Sequence, residues 1–446
     1  MSGFVVEGRS SLKGTIQVAG NKNEALPLIA ASLLCSSTVK FSNVPDIGDV
    51  RNMLEICDAL GAKVSLGNGG VVSIDASTLN SSVLPLELSN KIRASVLFAS
   101  SLLVRTGKAV ICQPGGDMIG RRRMDTHFLV FKALGAKLSV ERKVTSDVTQ
   151  ETNFILETPK GGLVGADIYL DEASVTATEN ALIAAAGASG TTIIANAASE
   201  PHVQGLCRFL EKIGVSIEGI GSNVLTVHGI ERFQSAEHTV GSDFIEAGSF
   251  IGLAAATKSD ITITGIDPAQ MRMILFQFER IGITVEMDRD ARQIRVSDRQ
   301  SLKVRKDLGG AIPRIEDSPW PGFPTDLMSI LLVTATQSEG LCLIHEKMFE
   351  SRLFFVDKLI SMGGQIVLCD PHRAVISGPA PLYGSTISSP DIRAGMALLI
   401  AACAAEGRST IHNIEQIDRG YQQIDKRLKA IGVSIERITD RRLSPL

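Results

Sequence analysis

Aromatic residues are scarce in this chain of 446 residues: they make up 4%, with a single tryptophan, Trp320. No stretch interleaves aromatics with basic residues, and the formal net charge is −3, so neither a base-stacking platform nor a basic field for nucleic acid is present. Long apolar runs are lacking too. The longest, Met396–Ala405, is too short to span a bilayer and reads as a buried helix. The seven cysteines form no CxxC pair and no metal-type spacing; scattered among small apolar residues, they suggest a reducing, cytoplasmic setting. Glu7 and Arg9 interrupt any signal-like apolar region near the start. There is no GxGxxG, no HExxH and no histidine cluster, so neither a dinucleotide fingerprint nor a zinc-protease motif is found.

What is present is aliphatic and repetitive. One phrase, an amphipathic helix that stops at a glycine and passes into a short alternating strand, recurs six times: Met53–Leu66, Phe128–Val140, Leu206–Glu218, Ile274–Glu286, Phe355–Leu368 and Asp425–Glu436. The stop glycines are Gly61, Gly135, Gly214, Gly282, Gly363 and Gly432, placed where a helix end favours positive φ. Before each copy stands a helix apolar on nearly every side: Asn23–Cys35, Arg93–Val104, Ala177–Ala188, Ile245–Ala256, Thr325–Thr336 and Ile392–Cys403. A helix apolar all round must be buried all round. The unit is therefore buried helix, strand, exposed helix, strand, closed by further strands. Successive stop glycines lie 68 to 81 residues apart, too far for a solenoid, and three units in each of two domains is the natural division. The expected domains are 22–241, and 1–21 with 242–446, with chain crossings near Gly20–Asn21 and Gly241–Ser242 that favour a hinge. The strand pair in 8–20 has no buried helix of its own and is expected to complete the last repeat.

Packing alone does not account for charges at equivalent ends of the buried helices. Lys22 and Asn23 open the first, Arg93 the second, and Asp326, Asp391 and Arg393 lie in the first turns of the fifth and sixth. A cation at a helix N-terminus opposes the macrodipole unless an anion neutralises both, so the set points to an anion site. The stretch 113–127 is the other outlier, with Gly115, Gly116 and Gly120 followed by Arg121, Arg122 and Arg123. It is expected to be mobile or tightly turned. It misses a P-loop, because arginines stand where Lys and Ser or Thr are required. Of the dispersed histidines only His127 adjoins it.

These stretches are specific enough to name a family. Gly20–Pro27, Lys91–Ser95, Gln113–Asp125, Gly190–Pro201, Gly322–Asp326, Phe349–Arg352, Pro390–Gly395 and Ile417–Tyr421 resemble the enolpyruvyl transferases, and among them the UDP-N-acetylglucosamine 1-carboxyvinyltransferases, over essentially the whole chain. The resemblance implies a two-domain inverted α/β barrel of six βαβαββ repeats with the helices inside and the active site in the cleft between domains. It implies transfer of the enolpyruvyl group of phosphoenolpyruvate to UDP-N-acetylglucosamine, the first committed step of peptidoglycan precursor synthesis, without cofactor or metal. Neither nucleic acid nor membrane is implied as a partner.

Position by position, Lys22 resembles the family's catalytic lysine, with Asn23 beside it at phosphate and sugar. Arg93 and Arg122 match arginines on the phosphoenolpyruvate phosphate. Asp326 matches the carboxylate that takes the proton of the sugar hydroxyl. Arg352, Asp391, Arg393 and Arg419 match residues linking the second domain to the substrates, with Arg393 and Arg419 on the phosphoenolpyruvate carboxylate. Arg122, Met124, Asp125, Ser174 and Val175 match the stretches that hold the uridine diphosphate, and Met348 a further apolar contact. Asp117 stands where most members have a cysteine, and a carboxyl group there can still deliver a proton to the methylene carbon. Phe244 replaces a usual arginine, Glu172 a common lysine, and 307–320 is longer than usual. Two alternatives stay open. A sibling enzyme would act on another nucleotide, or on shikimate 3-phosphate, although the usual glycine-serine-lysine-serine opening is here Gly20-Asn21-Lys22-Asn23. A non-catalytic nucleotide-sugar binder would have no use for Lys22, Asp326 and Arg393 together.

Overall fold

The computed structural model describes residues 2–117, 119–120, 123–146 and 149–439, with side chains outside 143–151. They form two compact units, one of residues 20–117 with 123–241, the other of residues 2–19 and 242–439 with the pair 119–120. Each unit wraps three small sheets around its own aliphatic core.

The fifth repeat shows the pattern. Arg314–Glu316 runs parallel to Gly340–His345, Arg373–Gly378 pairs antiparallel on the other side, and Gln365–Asp370 closes the edge. Parallel neighbours need a crossover, and the buried helix Met328–Ala335 supplies it. Five of the sheets have four strands in this arrangement and one has three. In the three-stranded sheet an isolated parallel bridge, Val83 with Val110, stands in for the missing edge strand.

The inner helices are Lys22–Ser32, Phe98–Thr106, Val175–Ala186, Phe244–Ala256, Met328–Ala335 and Ile392–Ala404. All thirteen residues of Phe244–Ala256 are buried. Glycines let these helices touch: a Cβ on Gly252 would come within 2.7 Å of Ile330 Cγ2 and 2.9 Å of Thr334 Oγ1 on the neighbouring helix. Four inner helices start on a capping side chain, Asn21, Ser174, Asp243 or Asp391, which accepts a backbone N–H of the first turn. The second and fifth start instead through 3-10 turns, Arg93–Leu97 and Thr325–Leu327. No described helix is long and apolar enough to cross a membrane.

All six stop glycines have positive φ, from +86° at Gly282 to +110° at Gly214. Gly282 is the tightest, because an added Cβ would lie 2.2 Å from Lys303 N. A Gly282→Ala protein is expected to lose about 2 kcal/mol or more, the left-handed backbone and the backbone clash adding together. Urea unfolding checks this; a midpoint equal to that of the unmodified protein would contradict it.

The amino-terminal strands correct one expectation. Residues 8–20 hold one strand, not a pair, and it does not complete the last repeat; the strand that does so lies before them. Gly3–Glu7 inserts antiparallel between Arg408–His412 and Ser434–Ile438 in the sixth sheet. Lys13–Gln17 instead runs parallel to Asp260–Thr264 and edges the fourth sheet. The chain turns away between them at Gly8, which lies so close to Ala405 that a Cβ would meet its carbonyl oxygen at 1.9 Å, and at Arg9, whose φ is +54°. Likewise Glu237–Thr239 returns to edge the first sheet beside Val39–Ser42.

Candidate functional site

In the unit of 20–241, Lys22 is the first residue of an inner helix and is 8% exposed. Burying an ammonium at the positive end of a helix is unfavourable on both counts. Asp49, itself buried in the first turn of Gly48–Ala59, answers it with a carboxylate oxygen 2.7 Å from Lys22 Nζ. Asn23 beside it is half-buried. Arg93 is 8% exposed, and its guanidinium donates to the main-chain oxygen of Arg123 at 2.6 Å. This ties the start of the second inner helix to the far leg of the glycine-rich stretch.

The near leg of that stretch is laid tightly on the unit. Gly115 N donates to Ser89 O at 3.2 Å, and a Cβ at Gly115 would fall 1.7 Å from Asn90 O. Close approach therefore explains this glycine. Asp117 follows, half-buried. Ile119 O accepts the Ser351 N–H at 3.0 Å. Arg122, with Met118 and Arg121, lies outside the described residues. Beyond it Arg123 pairs with Asp171 at 2.7 Å and Asp125 at 3.3 Å. A hydrogen bond from Thr126 first, then Arg123, holds the Asp171 carboxyl below its usual range. Met124 is buried and Asp125 exposed at the head of Asp125–Ala133. Ser174 caps the third inner helix, its oxygen 3.4 Å from Ala177 N, and half-buried Val175 is that helix's first residue.

His127 has a structural place. It is 1% exposed, and its Nδ1 is 2.8 Å from the amide nitrogen of Asn180 on the third inner helix.

In the unit of 242–439, four expected residues converge. Asp326 places Oδ1 3.0 Å from an Arg352 amino nitrogen, while Oδ2 takes two bonds from Arg393, at 3.0 Å from Nε and 2.9 Å from a terminal nitrogen. Both arginines are 3% exposed. Burial works against the Arg393 charge, but Asp326, Tyr421 and Asp243 together outweigh it and the guanidinium is held more firmly protonated than usual. Asp391 Oδ1 accepts the Arg393 and Ala394 N–H groups at 2.8 and 2.9 Å, which fixes where Arg393 leaves its helix. Arg419 is half-buried and donates to Gln416 at 2.7 Å, while Met348 remains 38% exposed.

Some participants had no distinctive sequence signal. Asp49 is one acid among several on an amphipathic helix. Tyr421 is fully buried, with its hydroxyl 2.9 Å from Ser249 and 3.3 Å from Arg393. It belongs to the Ile417–Tyr421 stretch and could have been picked out there. Among the described residues no group of His, Cys, Asp and Glu has the spacing to hold a metal ion.

The arrangement offers cations at inner-helix starts, a carboxylate oriented by two arginines, and a second carboxyl group at the end of a glycine-rich leg. Comparison with known proteins gives it a context. The family model described as EPSP synthase (3-phosphoshikimate 1-carboxyvinyltransferase) matches residues 6–428. A Treponema denticola protein named UDP-N-acetylglucosamine 1-carboxyvinyltransferase is 52% identical over 98% of this chain and 99% of its own. Proteins of the same name from Treponema pallidum and Bradyrhizobium diazoefficiens are 50% and 49% identical over the same shares. Among solved structures, the enolpyruvyl transferase NikO from Streptomyces tendae has a TM-score of 0.82 at 24% identity, covering 98% of this chain and 99% of its own. An EPSP synthase from Acinetobacter baumannii has 0.73 at 19%, covering 98% and 100%. The structural likenesses show the inverted α/β fold of these transferases. With half of its residues shared over nearly its full length, the chain belongs to the EPSP synthase family and, within it, to the UDP-N-acetylglucosamine 1-carboxyvinyltransferases.

Proposed function

We propose that this protein transfers the enolpyruvyl group of phosphoenolpyruvate to the 3′-hydroxyl of UDP-N-acetylglucosamine, releasing phosphate, as the first committed step of peptidoglycan precursor synthesis in the cytoplasm. The observation that carries the reading is the 52% identity over 98% of the chain to a protein of that name. The residues add chemical support. The hydroxyl oxygen adds to carbon 2 of phosphoenolpyruvate while its proton passes to Asp326 and carbon 3 gains a proton from Asp117. Carbon 3 then returns a proton to Asp117 as the bond from carbon 2 to the phosphate oxygen breaks and phosphate leaves. Lys22, Arg93 and Arg122 neutralise phosphate; Arg393 and Arg419 meet the carboxylate. On this reading the groups of both units serve one pair of substrates, with Asn23, Met124, Asp125, Ser174, Val175, Met348, Arg352 and Asp391 placing the nucleotide sugar and its neighbours. Phosphate release with UDP-N-acetylglucosamine tests it. Release with shikimate 3-phosphate or another nucleotide alone would favour a sibling activity, and ligand binding without release a non-catalytic binder.

Asp117 gives the reading a second consequence. An epoxide such as fosfomycin alkylates a thiolate in this loop far more readily than a carboxylate. The nearest thiol in sequence, Cys112, is buried. The unmodified protein is expected to resist fosfomycin. Asp117→Cys should retain turnover and gain time-dependent inactivation, with the adduct on the new thiol by mass spectrometry. Covalent inactivation of the unmodified protein would refute this.

A further inference from the structure

Beneath Asp326 lie two more acids that the proposed chemistry does not use. Asp317 directly follows the strand Arg314–Glu316, and Glu346 directly follows its parallel neighbour Gly340–His345. The register pairs Glu316 with His345, so the next residue on each strand, Asp317 and Glu346, leaves the sheet side by side. Both are 0% exposed. Asp317 Oδ1 accepts the Lys347 N–H at 2.6 Å, while its Oδ2 meets no N–H or O–H donor of the described residues. Glu346 Oε1 accepts the N–H groups of Met348 and Phe349 at 3.2 and 3.1 Å, and Thr325 Oγ1 donates to Glu346, 3.0 Å from either oxygen.

Leaving paired strands side by side, the two carboxyl groups are placed for one to hydrogen-bond to the other. A carboxylate cannot donate, so that bond requires a proton on one of them. Two adjacent charges in a dry site would be unfavourable in any case. Burial first, and Asp317 beside it, push Glu346 up to about 9, against the opposing effect of Arg352. The other neighbouring charges face elsewhere. Lys347 Nζ turns to Glu316 at 3.1 Å, His345 lies 3.8 Å from Glu316, and the His372 ring bonds the main-chain oxygen of Glu346.

Thr325 and Arg352 connect the pair upward. Thr325 immediately precedes Asp326 in its 3-10 turn. Arg352, whose Nε lies 3.8 Å from Glu346 Oε2, holds Asp326 Oδ1 with its other end. We propose that Glu346 and Asp317 form a hydrogen-bonded carboxyl pair that positions Asp326, through Thr325 and Arg352, for the transfer reaction. They are positioning residues and touch no substrate. The inference rests on the reading of Asp326 as the base.

Glu346→Gln mimics the protonated acid: its amide N–H₂ can donate to Asp317 while its oxygen still accepts from Thr325, Met348 and Phe349. Glu346→Ala removes the connection. The expected result is that Glu346→Ala lowers kcat by about 100-fold, as a small misplacement of a reacting group does, with little change in KM for phosphoenolpyruvate. Glu346→Gln should keep most of its turnover at neutral pH. The sign of the pH effect follows from the raised acid. Below about 9 Glu346 keeps its proton; above it Glu346 is charged and draws Arg352 away from Asp326. The unmodified enzyme should therefore lose kcat above that pH, and Glu346→Gln should lack this alkaline limb. An infrared difference spectrum between the two proteins at neutral pH, which needs no turnover, should show a carboxylic-acid C=O band that only the unmodified protein has. An identical alkaline limb in Glu346→Gln, or no such band, overturns the proposal. Absence of phosphate release from the unmodified protein with any acceptor, the band being present, would instead remove the reading of Asp326 on which it rests.

Discussion

An Asp326→Asn protein is expected to release phosphate from phosphoenolpyruvate and UDP-N-acetylglucosamine about 10³-fold more slowly than the unmodified enzyme, the scale of a lost general base. Asparagine keeps the shape of the side chain and one acceptor oxygen but cannot take the proton of the attacking hydroxyl. The same change removes a negative charge from between Arg352 and Arg393, both almost fully buried. Some loss of stability is therefore expected as well, because a buried cation is held in part by its counter-ion. The two effects separate experimentally. Turnover is measured well below the melting temperature, and circular dichroism checks the fold. Asp326 is itself about a quarter exposed at its side chain, so the stability effect should be the lesser one. A rate within tenfold of the unmodified enzyme would remove Asp326 from the role of base.

Lys22→Ala is expected to lower the rate by about 10² to 10³ or more, the usual cost of removing a preorganised group that faces developing charge. Here too a structural effect runs alongside. Lys22 and Asp49 are 2.7 Å apart, with side chains 10% and 5% exposed, so alanine takes away the cation that faces a buried carboxylate. The double variant Lys22→Ala/Asp49→Ala resolves this. Removing both charges should restore part of the stability lost in the single variant, since the pair is coupled, but none of the activity. Phosphate release and thermal melts on the four proteins of the cycle give the result. Recovery of turnover in the double variant would mean that Lys22 serves only to neutralise Asp49.

The two variants also mark what could be read before any coordinates. Lys22 and Asp326 stood out because a charge at the start of an otherwise apolar helix has no packing reason to be there. The inner helices were legible for a related reason: a segment such as Phe244–Ala256, with no polar face, has only one place to go. The six stop glycines were legible because positive φ is a local demand that the neighbouring residues announce. Partnership was not legible. Nothing in the run from His345 to Phe349 tells that Glu346 is fully buried while Lys347 reaches outward to Glu316. That depends on which strand lies alongside, and strand pairing is a long-range matter. The place of His127 was hidden for the same reason, since its partner Asn180 lies 53 positions away on another helix. The split of the first two strands between two sheets was hidden too, because each alternates like any half-buried strand.

That split bears on the order in which the molecule assembles. Every described sheet strand of the unit spanning 20–241 comes from within that stretch, so once residue 241 has left the ribosome this unit has all it needs to close. The other unit must wait. Phe4 and Val6, both 0% exposed in the finished fold, belong to a strand whose two neighbours are Arg408–His412 and Ser434–Ile438. They are among the first residues made and among the last to find their partners, and through most of synthesis they remain an unpaired apolar edge. The closing contact spans nearly the whole chain, so this unit should fold more slowly than its neighbour. A chain stopped short of residue 434 would leave Gly3–Glu7 with an open edge, however well the rest had folded.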